Sequence, residues 1–227
     1  MAQAVRTTNV VCPLVRTAPC VVPSRTSEAE HERRRRAVPA APLSAEQRQQ
    51  IHETVIALTT RHGLDGWRIS DLVEATGVSS RTIYKYFPSK EHLLLTSLIE
   101  TSEFQFAQIR ETTMRRARTP RTRVLRALRE CTEGVMDSPQ LAKAMVRAWT
   151  SGQSSIPPLL AGFEDGLKAT LAYAIAGGPP SPTQEIVAEV IEMVWVTSMI
   201  AWTSGLRGSE FVDQSVRRAL SVIELPA

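Results

Sequence analysis

Between Asp71 and Lys90 the chain reads DLVEATGVSSRTIYKYFPSK, and the spacing sorts apolar from polar side chains. Leu72, Val73, Val78, Ile83 and Phe87 fall where two short helices would bury them against each other and against a preceding helix. Gly77 takes a positive φ at no steric cost, as the tight turn of a helix-turn-helix needs. Ser80, Arg81, Thr82, Tyr84 and Lys85 are then left outward on the second short helix. A short helix with a donor-rich face suits the major groove of double-stranded DNA, where Arg or Lys donates to guanine O6 and N7. Ser80, Arg81 and Lys85 are therefore the candidates for base edges.

Little else in the chain competes with that chemistry. There is no G-x-S-x-G, P-loop, G-x-G-x-x-G or H-E-x-x-H. His31, His52, His62 and His92 lack metal-ligand spacing. Cys12, Cys20 and Cys131 are odd in number and form no C-x-x-C pair, so no disulfide framework is expected. The expectation is a binding protein without catalytic residues, metal or cofactor.

The net charge of +4 is lopsided. Residues 1–120 hold 17 Lys and Arg against 12 Asp and Glu, while residues 121–227 hold 10 against 11. The excess lies in the half that carries the candidate reading helix, where phosphates call for it. Residues 1–42 read as a flexible tail with Pro13, Pro19, Pro23, Pro39 and Pro42 and no sustained period. Its run Arg33 to Arg36 is either a solvated charge run or an arm along the DNA. Arg6, Arg16 and two prolines break the start, so no secretory signal is expected. The apolar run Met193 to Trp202 is too short to span a bilayer. A soluble, cytoplasmic protein with no membrane partner follows.

The elements that must position these residues are helical. Ala and Leu dominate the apolar set and aromatics make up 5% of the chain, a mix that favours packed helices. Ser44 with Gln47 forms a capping box, and Ile51, Val55 and Leu58 mark a helix that ends near Gly63. Further helices are expected at Ile69 to Thr76, Ser80 to Tyr86, Ser89 to Arg116, Pro120 to Met136, Pro139 to Thr150, Pro158 to Ala176, Thr183 to Ser204 and Ser209 to Ile223. The fold class is all-α, with about nine helices. Residues 43–90 are expected as a three-helix DNA-binding unit, and residues 91–227 as a helical bundle, to which the resemblance described below assigns ligand binding and dimerisation.

Gly77-Val78-Ser79, Thr82-Ile83-Tyr84 and Tyr86-Phe87-Pro88-Ser89-Lys90 together resemble the signature of the TetR family of bacterial repressors, over about Ile51 to Leu95. The resemblance implies that Tyr84 and Lys90 hold phosphates, that Thr82 joins them, and that Arg68 and Ser70 touch the backbone. Arg81 stands where many members carry a small residue. The resemblance also implies a homodimer through the last two helices, in which Ala201, Ser204, Phe211, Val212, Ser215 and Ala219 meet the partner. Arg147-Ala148-Trp149 after Ser138-Pro139, and Trp195 with Ala201-Trp202, are similar to the KstR-type repressors of cholesterol catabolism within the family.

The helix from Thr183 to Ser204 is apolar on more than one face and needs cover on both. Met145, Trp149, Phe163, Leu167, Trp195, Met199 and Trp202 are the candidates to line a ligand cavity. Such a lining suits a small, largely apolar ligand, a steroid or a fatty acyl-CoA, with Arg147 and Lys168 as cations for a coenzyme A portion. The alternative is a lipophilic cationic drug that controls efflux, with Glu164 or Glu189 as the buried acid. The expected function is a repressor released from a palindromic operator by its ligand.

Overall fold

A computed structural model describes residues 42–223, which form nine α-helices with no strand among them. The proposed tail, with Arg33 to Arg36, lies outside the described residues apart from Pro42. In α1 (Ala45–His62) the Ser44 hydroxyl accepts from Gln47 N at 3.1 Å, and Ser44 N donates to Gln47 Oε1 at 3.1 Å. This reciprocal box satisfies two of the donors that a helix start leaves open. α2 (Ile69–Thr76) stops at Gly77, whose φ of +69° closes the turn into α3 (Ser80–Tyr86). Pro88 cannot continue the helix, and Ser89 restarts it as α4 (Lys90–Arg116), accepting from His92 N at 3.0 Å.

Four of the remaining helices begin on proline, whose missing N–H is free of cost in a first turn. These are α5 (Pro120–Met136), α6 (Pro139–Trp149), α7 (Pro157–Ala176) and α8 (Pro182–Thr203), and α9 (Glu210–Val222) follows. Arg123 is buried, and its guanidinium donates to Ala174 O at 2.6 Å and Ile175 O at 2.9 Å. It thus satisfies carbonyls that the end of α7 leaves open.

Two apolar cores form. The head core gathers Ile51 and Val55 of α1, Leu72 of α2, Ile83 of α3 and Leu93 and Leu94 of α4. The body core runs from Leu95 and Phe106 of α4 through α5 to α9. α6 belongs to both: Leu141 and Ala144 enter the head core, while Ala142, Met145 and Ala148 enter the body core. A boundary at residue 90 therefore divides the chain but not the packing.

α4 and α7 approach closely at Gly166. A Cβ there would sit 2.7 Å from the buried Phe106 ring, inside any real contact distance. Gly166→Val should cost roughly 1–3 kcal/mol through overpacking, read as a lower midpoint in chemical denaturation. An unchanged midpoint would show that the Phe106 ring relocates freely.

α8 is long and apolar enough to cross a membrane, because its apolar character extends back from the Met193–Trp202 run to Pro182. Its faces explain that composition. Ala188, Ile191, Trp195 and Met199 are buried in the body core, while Ile186, Val190, Met193 and Ile200 stand exposed on another face.

Candidate DNA-reading helix and ligand cavity

Ile83 is fully buried and fixes the roll of α3. Ser80, Arg81, Tyr84 and Lys85 are consequently exposed, and Thr82 is half-buried. Thr82 Oγ1 lies 2.9 Å from Ser79 Oγ, and the Lys85 ammonium lies 5.4 Å from the centre of the Tyr86 ring. Ser70 is exposed at the start of α2. These six side chains of the expected DNA set are free of the core.

Lys90 is placed differently from the expectation of a free phosphate ligand. Its ammonium donates to Leu64 O and to Trp67 O, the latter at 2.6 Å, and sits 4.1 Å above the Trp67 ring. Burial lowers its pKa. Two of its three protons hold the α1–α2 loop in place, which leaves one for a phosphate. Trp67 is itself pinned by donating from Nε1 to Thr59 Oγ1 at 3.1 Å.

Beneath the head lies a cavity of about 310 Å³. Of the seven residues expected to line it, Met145, Phe163 and Trp195 are in its wall. Trp149 stands behind the wall and packs edge-on against Phe163, with ring centres 6.3 Å apart, and against Trp195 at 6.5 Å. Leu167 and Met199 are fully buried in the body core, and Trp202 packs half-buried on that core, so these three do not reach the cavity. The wall also holds residues that the sequence reading missed: Leu98 and Thr101 of α4, Cys131 and Val135 of α5, and Ile56 and Thr60 of α1. Trp195 Nε1 is buried without a hydrogen-bond partner among the described residues. Burial, aided by the charge of Glu130, pushes the Cys131 thiol up to about 12, which leaves it protonated and inert.

The acids expected to serve a cationic ligand are misplaced for it. Glu164 and Glu189 are exposed, so water already stabilises their charge. The acid in the cavity wall is Glu130, which pairs with Arg126 at 2.7 Å. Arg147 and Lys168 are also away from the cavity: Arg147 pairs with Asp65 of the α1–α2 loop, and Lys168 with Asp165 at 3.3 Å.

Glu192 of α8 is the buried acid. One of its oxygens has no partner among the described residues, and burial beside Glu164 pushes its pKa up to about 7. Because the folded pKa lies above the ordinary 4.5, folding favours the protonated acid. Its contribution is fully present below pH 4.5 and is lost as pH rises to about 7. Glu192→Gln should therefore raise the melting midpoint at pH 8 by the equivalent of about 1–2 kcal/mol, with little change at pH 4.5. A thermal scan in which both proteins respond equally to pH would contradict this.

In the expected dimer set, Ser204 is exposed and Ala201, Phe211, Ser215 and Ala219 are half-buried. Val212 requires correction. It points inward with Val216 and Leu220, one turn apart along α9, and is consumed by the body core. Ile186, Val190, Met193 and Ile200 form an exposed apolar stripe on α8.

Residues 53–96 match the family described as bacterial regulatory proteins, tetR family, and residues 117–223 match the tetracyclin repressor-like C-terminal domain. The chain belongs to the TetR family. It is accordingly a transcriptional regulator with a helix-turn-helix head, and not an enzyme. The transcriptional repressor KstR of Mycobacterium tuberculosis is 29% identical over 180 residues, covering 78% of this chain and 79% of that protein. A TetR regulator from Rhodococcus sp. RHA1 shares the fold with a TM-score of 0.66 at 20% identity, over 81% of this chain and all of that one. FadR of Thermus thermophilus, solved in complex with lauroyl-CoA, aligns at a TM-score of 0.58 and 21% identity, over 79% and 98% of the two chains. TetR membership accounts for a reading head followed by more than a hundred residues of apolar helix.

Proposed function

We propose that the protein is a cytoplasmic homodimeric repressor that leaves a palindromic operator when a largely apolar, lipid-derived ligand fills the cavity beneath the head. Ser80, Arg81 and Lys85 read base edges, while Tyr84, Thr82, Ser70 and the remaining proton of Lys90 hold phosphates. α8 meets its copy through the exposed stripe, which sets two heads on a two-fold axis. Half-site centres then lie about 34–36 Å apart or a multiple of it. Residues 43–90 act as the reading unit and residues 91–227 as the ligand-binding and dimerisation unit.

One observation carries the induction mechanism: the cavity wall includes Ile56 and Thr60 of α1, and Leu141, which also packs in the head core. A ligand there touches the head directly as well as through α4. α6 adds a second route, since it shares both cores. The Arg147–Asp65 pair is exposed, and pairs of that kind contribute little. Packing at Leu141 and Ala144 is the stronger link. A ligand shifts the DNA-competent state only by its differential affinity for the two states.

The similarity to KstR, and the acyl-CoA held by FadR, favour a steroid or a fatty acyl-CoA as the ligand class. The test is a gel-shift titration on the region upstream of the protein's own gene. A steroid or long-chain acyl-CoA should release the complex, and a lipophilic cation should not. Release by the cation alone would overturn the ligand assignment, and absence of any complex with that DNA would overturn the autoregulatory operator.

A further inference from the structure

A second cavity of about 310 Å³ lies between α5 and α9, with Trp195 of α8 in its wall. Leu128 and Met136 of α5 and Val212 and Val216 of α9 give it an apolar floor, and Asp137 and Asp213 also line it. It shares Leu125 and Arg129 with an adjoining cleft of about 410 Å³, lined also by Arg126 and Arg217. The two form one groove that is apolar toward the C-terminal end of α5 and cationic toward its N-terminal end. None of the exposed stripe residues of α8 lines it.

The charges at the cationic end are only partly spent. Arg126 Nε faces Glu130 at 2.7 Å, and Arg217 Nε donates to Asp213 at 2.5 Å. A guanidinium carries five N–H donors, so both retain Nη groups. Arg129 is exposed and has no ion pair among the described residues. At the apolar end, Trp195 is 3% exposed and its indole N–H has no partner among the described residues.

We infer that the α5–α9 groove binds an amphiphile with an anionic head, carboxylate or phosphate, seated on Arg129 and Arg217 with its apolar body against Trp195. This site is distinct from the cavity beneath the head, with which it shares Thr132, Trp195 and Glu130. Phosphate and carboxylate both match the planar guanidinium fork, so the two heads share one recognition chemistry.

The test is calorimetric titration of the full chain without DNA, so its outcome is independent of operator reading. Dodecanoate and dodecyl phosphate are the anionic probes, dodecyl maltoside the neutral one and dodecyltrimethylammonium the cationic one. At least one anion should bind about tenfold or more tightly than the neutral and cationic probes, and the better anion identifies the head group. Arg129→Glu, at an exposed position, should abolish that preference while the thermal midpoint stays unchanged. Binding should also shift the Trp195 indole N–H resonance, assigned by its loss in Trp195→Phe. Equal affinity for all four probes would overturn the inference. So would an anion preference that survives Arg129→Glu, which would place the ligand in the other cavity.

Discussion

Ile186→Glu combined with Met193→Glu should leave the protein folded, monomeric and unable to hold its operator. Ile186 is 62% exposed and Met193 54% exposed in the single chain, so neither carboxylate disturbs the protomer's own core. In a dimer through the α8 stripe, four carboxylates would be buried near the two-fold axis without partners. Unpaired buried charges cost several kcal/mol each, more than a modest interface has in surplus. Each lone head would then bind one half-site, and operator affinity should fall by at least about a hundredfold, which corresponds to roughly 3 kcal/mol. Sedimentation gives the mass, circular dichroism the fold and fluorescence anisotropy the affinity. A variant that stays dimeric would move the interface off α8, and a monomer with full affinity would remove the need for a dimer.

Arg81→Ala and Lys85→Ala should each relax the choice of base at defined operator positions. A bidentate contact to guanine contributes roughly 1–3 kcal/mol of discrimination, and a palindrome counts it twice. The loss on operator should therefore reach about 2–6 kcal/mol, while affinity for random DNA falls only by the loss of one phosphate-attracting charge per head. Tyr84→Phe is the contrast: it removes one phosphate donor and should weaken all sequences alike. Equal losses on operator and random DNA for both Arg81→Ala and Lys85→Ala would remove the base-reading role. Lys90→Ala is a poorer probe, because the same ammonium holds Leu64 O and Trp67 O.

Helix limits were legible because local chemistry writes them. Ser44 with Gln47 and Ser181 with Gln184 form capping boxes, and Gly63, Gly77, Gly177 and Gly205 end or follow helices at positive φ. The roll of α3 was equally legible, since one apolar residue, Ile83, leaves little choice of inward face. The cavity was only partly so. Ile56, Thr60, Leu98 and Thr101 line it because α1 and α4 cross there, and no spacing along one helix encodes where two helices diverge. Leu167 and Met199 are apolar like Met145 and Trp195, but they are fully enclosed in the body core and do not line the cavity. α8 misled for a related reason: on a helix with several apolar faces, composition does not say which one meets the core. Lys90 was read through its charge, while its reach to two backbone carbonyls depends on the folded loop.

α6 joins the two cores, and linkage makes that traffic run both ways. If the ligand weakens operator binding by some factor, operator must weaken ligand binding by the same factor. Ligand affinity measured on free protein should then exceed that measured with saturating operator. Loosening the joint, as in Leu141→Ala, should draw the two values together. Within a cell, promoter occupancy and ligand level would then act as mutual antagonists.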